Sequence, residues 1–180
     1  MKIAAFDLSL TCVGFADGHR SGVLVPPATA NRGVERLRWI RNAVLRQAAD
    51  AQLVVLEGYS FASRGRAIVS LGELGGVVRC ALTDAAIAWL EIAPSSRALF
   101  ATGKGNAGKP EVLAAAIREL GYEGHSYDEV DALWLRAMAL EHYAPSAARL
   151  NEKRRKALAA IAWPVLPIGA PHTPRQHEER

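Results

Sequence analysis

Two apolar runs that each stop at a carboxylate set the strongest limit on how this chain can fold. The first is Ile3-Ala4-Ala5-Phe6, closed by Asp7; the second is Gln52-Leu53-Val54-Val55-Leu56, closed by Glu57. Neither run alternates apolar with polar residues, which is the pattern of a central strand covered on both faces rather than one side of an open sheet. A carboxylate at the end of such a strand sits where water thins out, and leaving its charge unpaired there costs several kcal/mol. Asp7 must therefore meet a cation or cap the turn that follows it.

The remaining elements follow in order. Short strands are expected at 13–16 and 21–25, joined by the turn Asp17-Gly18-His19-Arg20 and ended by Pro26 and Pro27. With the first strand they form an antiparallel meander. Residues 31–49 carry Val34, Leu37, Ile40, Ala43 and Ala48 at helical spacing, with arginines on the other face. A second helix is expected over 68–89, although Gly72, Gly75 and Gly76 each cost about 1 kcal/mol relative to alanine in a helix interior. Close approach of another backbone, from the sheet or a partner subunit, would explain them. A strand at 89–93, a short helix at 95–99, a glycine-rich loop at 101–109, a helix at 110–120 and a last strong helix at 128–143 complete the pattern. The fold class is α/β: a mixed central sheet, three antiparallel leading strands plus parallel strands, flanked by helices.

With 180 residues, half of them apolar, the chain can build one core, and a formal net charge of +4 suits a polyanionic partner. Cys12 and Cys80 lie far apart, with no CxxC and no histidine cluster, so a zinc site or disulfide framework is not expected and a reducing cytoplasm is. The first apolar run is too short for a cleavable signal, and no run nears the roughly 20 apolar residues of a membrane span. A single folded domain at 1–148 is expected to be followed by a distinct 149–180 segment. That segment holds the basic cluster Lys153-Arg154-Arg155-Lys156 and a proline-rich, weakly ordered tail.

If the strands ending in Asp7 and Glu57 are neighbours, the two acids stand side by side. Asp128 and Asp131 lie at i and i+3 of the last helix, about 60° apart on one face. A helix whose first turn rests on the strand ends would gather all four. Four carboxylates that close repel strongly, and hard divalent cations with oxygen ligands, Mg²⁺ or Mn²⁺, resolve the conflict. Two such ions roughly 4 Å apart are the arrangement used for in-line phosphodiester hydrolysis.

This set resembles the ribonuclease-H-like nucleases and, more narrowly, the RuvC-type Holliday-junction resolvases with their phage relatives. The resemblance covers residues 1–143. It rests on Asp7 with Gly14 seven residues later, Glu57 after Leu-Val-Val-Leu, and Leu71-Gly72-Glu73-Leu74-Gly75-Gly76-Val77. Further on it takes in Pro94, the loop from Thr102 to Lys109, and Asp128-Glu129-Val130-Asp131-Ala132-Leu133. It implies a homodimeric, Mg²⁺-dependent endonuclease, with Mn²⁺ able to substitute, that nicks four-way DNA junctions in the bacterial or phage-infected cytoplasm. Asp7, Glu57, Asp128 and Asp131 fall at its metal-binding and catalytic positions, and Lys109 at that of a lysine near the DNA backbone. Where the family has Asp-Pro-Gly this chain has Asp7-Leu8-Ser9, which points to a phage-like branch, and the segment after Arg149 lies outside the resemblance.

Tyr59 and Phe61 are the candidates for stacking on bases at the junction centre, and either could instead pack beneath its loop. Arg64, Arg66, Lys104 and Lys109 lie on loops leaving strand ends and are candidate phosphate contacts, with solvated surface charge as the alternative. His125 could approach the site or cap the last helix, and Glu129 points off the Asp128/Asp131 face. The same superfamily includes sugar kinases and actin-like ATPases, but their phosphate cradles need glycine donors that Leu8-Ser9-Leu10 lacks. A broader branched-DNA or flap nuclease and a non-catalytic junction binder are the remaining alternatives.

Overall fold

The computed structural model describes residues 1–59, 66–146 and 150–166, the side chains of residues 66 and 67 excepted. Five strands form one sheet: β1 (Ile3–Asp7), β2 (Val13–Ala16), β3 (Ser21–Leu24), β4 (Leu53–Glu57) and β5 (Ala88–Ile92), in the spatial order β3-β2-β1-β4-β5. The first three strands run antiparallel as a meander, and β1, β4 and β5 run parallel. Parallel neighbours need a crossover, and helices supply both: α1 (Gly33–Gln47) between β3 and β4, and α2 (Arg66–Asp84) between β4 and β5.

The lack of alternation in β1 and β4 has the expected cause. Ile3, Ala5, Leu53 and Val55 face one core together with α3 (Pro94–Thr102), α4 (Lys109–Leu120) and α5 (Tyr127–Tyr143). Ala4, Phe6, Val54 and Leu56 face a second core beneath α1 and α2. The sheet is thus the middle of three layers, and each apolar residue of these strands is buried on whichever face it points to.

The helix expected over 68–89 ends earlier, at Asp84, and Ala88 and Trp89 belong to β5. The stop is a Schellman turn: Ile87 N–H donates to the Leu82 carbonyl and Ala86 N–H to that of Thr83. Ala86 takes the left-handed conformation there, with φ of 54°. Glycine would have announced this turn, and alanine does not. The glycines of α2 also differ from expectation. Gly72 and Gly76 face open space, so packing on the chain's own sheet does not account for them, whereas Gly75 receives the ring of Tyr59.

A sixth helix, α6 (Glu152–Ala159), packs on α3, and its Ala157 is buried in the same core as α3, α4 and α5. The boundary expected at 148/149 falls on residues outside those described, as does the tail beyond 166. Among the described residues no helix is long and apolar enough to cross a membrane.

Candidate active site and metal centre

The parallel register pairs Phe6 with Leu56, which leaves Asp7 and Glu57 side by side as the next residues of β1 and β4. Asp131 approaches from α5, and oxygen atoms of Asp7, Glu57 and Asp131 all lie within 4.8 Å of one another. The turn after Asp7 is held by Ser9 instead: its Oγ accepts from the N–H groups of Thr11 and Cys12 and donates to the Cys12 carbonyl. Turn capping is therefore not what Asp7 does.

Two residues outside α5, Ser126 at its cap and Gly14 in β2, aim Asp131 at the strands. Ser126 caps the helix by accepting from Glu129 N–H, so the cap is Ser126 and not His125, which is exposed. Gly14, paired with Asp7 across the hairpin, lets the first turn of α5 settle onto β2. Glu129 turns away, accepting from Ser21 Oγ at 2.7 Å and from the Tyr122 hydroxyl at 2.9 Å.

Sequence reading missed Arg97. This residue of α3 is buried, and its Nε donates to Glu57 Oε1 at 2.6 Å while its Nη1 lies 2.6 Å from Asp131 Oδ1. Its signal was one arginine in the second turn of a short helix whose other buried residues, Ala98, Phe100 and Ala101, are apolar. Guanidinium holds two carboxylates at once through its planar fork.

Asp128 stands at the rim. It is absent from the three-residue cluster, its side chain is 29% exposed, and its Oδ1 lies 3.7 Å from Lys109 Nζ. It still acts on the others, since its charge raises the pKa values of Asp7 and Asp131, and with burial it pushes the Cys12 thiol up.

The electrostatics reflect crowding. Burial, then the charges of Glu57 and Asp131 and a hydrogen bond with Glu57, push the Asp7 carboxyl up to about 9. Burial likewise pushes Asp131 up to about 7 against the pull of Arg97. Arg97 offsets one charge of the three-acid cluster and leaves two, all on oxygen donors, which is what a hard divalent cation compensates. The residues fit a divalent metal.

The other candidates are more scattered. Tyr59 lies against α2: its hydroxyl accepts from Arg79 Nη1 at 3.2 Å, and the Arg79 guanidinium sits 5.6 Å from its ring centre. Lys104 and Lys109 are exposed on the loop before α4 and at its first turn; Lys104 Nζ is 3.4 Å from Glu111 and Lys109 Nζ 5.6 Å from the Tyr127 ring centre. Phe61 and Arg64 lie outside the described residues, and Arg66 opens α2 with its side chain outside them.

No protein-family model matches the chain. Its fold is similar to that of Thermus thermophilus RuvC, with a TM-score of 0.65 at 21% identity over 79% of this chain and 95% of that one. It is also similar to the Fowlpox virus resolvase, solved with substrate Holliday junction DNA, with a TM-score of 0.54 at 13% identity over 80% and 99%. The strand order, the helices on both faces and the acids at adjoining strand ends define the ribonuclease-H-like class. In sequence, the chain is 39% identical over 134 residues to the crossover junction endodeoxyribonuclease RuvC of Anaeromyxobacter sp. strain Fw109-5, covering 72% of this chain and 62% of that protein. The same enzyme of Anaeromyxobacter dehalogenans strain 2CP-C is 38% identical over 130 residues, 71% of this chain and 67% of the relative. The chain belongs to the RuvC family of crossover junction endodeoxyribonucleases. It spans slightly less than two thirds of the first relative's length and two thirds of the second's.

Proposed function

We propose that this protein is a structure-selective endonuclease that resolves four-way DNA junctions in the cytoplasm, acting as a homodimer on residues 1–148. The observation that carries the reading is the convergence of Asp7, Glu57 and Asp131 within 4.8 Å at the ends of paired central strands. Phosphodiester hydrolysis needs an activated water and relief of charge on the leaving oxygen, and bound divalent ions, two Mg²⁺ with Mn²⁺ as a substitute, supply both.

The chain's own groups have separable tasks. Asp7, Glu57 and Asp131 would hold the ions, with Asp128 completing the set from the rim. Arg97 is a positioning residue that keeps Glu57 and Asp131 turned inward before any ion arrives. Lys109, beside Asp128, meets the phosphate next to the cleaved bond, and Lys104, Arg64 and Arg66 meet phosphates further along. Tyr59 and Phe61 offer the stacking surface for bases at the crossover, where each such contact is worth about 1–3 kcal/mol. Tyr59 is braced on Gly75 and Arg79.

The dimer contact is assigned to α2. Gly72 and Gly76 have open space beside them, and Ile68 and Val69 are exposed on the same helix. Small residues admit a second helix closely, and a two-fold dimer sets two sites across a two-fold junction.

The test is cleavage of synthetic four-way junctions, flaps and plain duplexes with Mg²⁺ or Mn²⁺. Paired nicks confined to the four-way substrate support the reading. Equal cleavage of flaps would replace it with a broader branched-DNA nuclease, and binding without cleavage under every metal would leave a junction-binding protein.

A further inference from the structure

Helix α6 is docked too firmly for a tail. Asn151 caps it by accepting from Arg154 N–H. Arg154 then reaches inward: its Nε donates to the Phe100 carbonyl at 3.0 Å, and its guanidinium pairs with Glu119. The same group lies 5.2 Å and 5.8 Å from the ring centres of Phe100 and Trp134. Beyond the helix, Trp163 stacks on His142 at 4.5 Å and donates to the Leu158 carbonyl, and the Tyr143 hydroxyl donates to the Pro164 carbonyl at 2.6 Å.

This anchoring fixes the direction of three other cations. Lys153, Arg155 and Lys156 are exposed, and among the described residues none of them enters an ion pair, although Arg155 Nη1 reaches the Leu150 carbonyl at 3.4 Å. Lys153 lies along Gly103, where a Cβ would stand 3.2 Å from its Cδ. Gly103 opens the loop that carries Lys104 and leads to Lys109, which touches Asp128. Lys109, Lys104 and Lys153 therefore mark a basic path from Asp128, along this loop, to α6.

The geometry points to α6 as a second phosphate-binding surface that holds a duplex arm of the DNA beyond the point of cleavage. The assignment rests on the resolvase reading above. Duplex DNA is stiff and carries one charge per about 1.7 Å of axis, so an arm held at the active site presents further phosphates to a rigid basic ridge alongside it. A flexible lysine tail would lose ordering entropy on binding, whereas α6 is already ordered.

The experiment compares the parent with K153Q/R155Q/K156Q, each also carrying D7N so that the DNA stays intact. Binding to a labelled four-way junction is measured across a salt series, once with long arms and once with arms trimmed close to the crossover. On long arms the triple variant binds at least about tenfold more weakly near 0.1 M salt, and its log–log salt slope falls by about 2–3, close to 0.9 per lost contact. On trimmed arms the two proteins bind alike. The triple variant keeps its melting temperature, and K2Q, at the opposite end of β1 from Asp7, leaves binding unchanged. An unchanged slope on long arms overturns the proposal, and so does an equal loss on trimmed arms, which would place the three cations at the crossover. Failure of the parent to bind or cut any junction would overturn the resolvase reading instead.

Discussion

A side-chain carbon on Gly14 would stand 1.9 Å from the backbone carbonyl oxygen of Asp128, closer than any real contact allows. A Cβ is fixed by its own backbone and the carbonyl is main chain, so neither can swing aside. Gly14→Ala must push the first turn of α5 off β2 and carry Asp128 and Asp131 away from Asp7. A displacement near 1 Å can cost about 100-fold in rate. Junction cleavage should fall by at least that much, with a lower melting temperature and little change in junction affinity.

Asp7 gives a pH-dependent signature in metal-free protein. Its folded value near 9 lies above the ordinary 3.8, so the folded state binds the extra proton. Stability from this group is full below about pH 4 and is lost as pH rises toward 9; Asp131, raised to about 7, adds loss in the same direction at the lower end. In EDTA the melting temperature should fall across this window. Asp7→Asn should flatten the fall, and Mg²⁺ should flatten it in the parent. Asp7→Asn should also abolish cleavage while junction binding persists.

Arg97 pairs with both Glu57 and Asp131 where water is scarce, so removing it leaves the two acids without that partner. Loss of one partner from a buried ion pair typically costs about 3–5 kcal/mol. Arg97→Gln should unfold at markedly lower denaturant in EDTA, with part of the loss recovered on adding Mn²⁺, which supplies the missing positive charge. Arg97→Lys should fall between the two, because an ammonium group cannot span both carboxylates with a planar fork.

Lys104 and Lys109 should separate from the acids in salt titrations. Replacing both with glutamine should lower the log–log salt slope of junction binding by about 2, close to 0.9 per phosphate contact. Lys109→Gln alone should also slow cleavage, since its ammonium lies 3.7 Å from Asp128.

An α2 contact between protomers predicts that Val69→Asp with Gly76→Asp converts a dimer, near twice 19.4 kDa by sedimentation, into a monomer. The monomer should retain its fold by circular dichroism and lose paired nicking.

Local patterns carried a good deal of this molecule. Buried runs ending in Asp7 and Glu57 identify central strands, because a strand covered on both faces leaves no polar position along its length and its first charge marks its end. Helical spacing placed Asp128 and Asp131 on one face of α5, and the elements came in the order the chain shows. What packing alone decided involves partners far apart in the chain. Arg97 meets Glu57 across 40 residues, and its apolar neighbours in α3 do not say which acids it meets until α3 is laid against the strand ends. The same packing turns Asp128 toward Lys109 instead of into the three-acid cluster, and seats Tyr59 on Gly75. Periodicity reports which face of an element is buried; which charge waits on the far side is set by how the layers stack, and that depends on the whole chain at once.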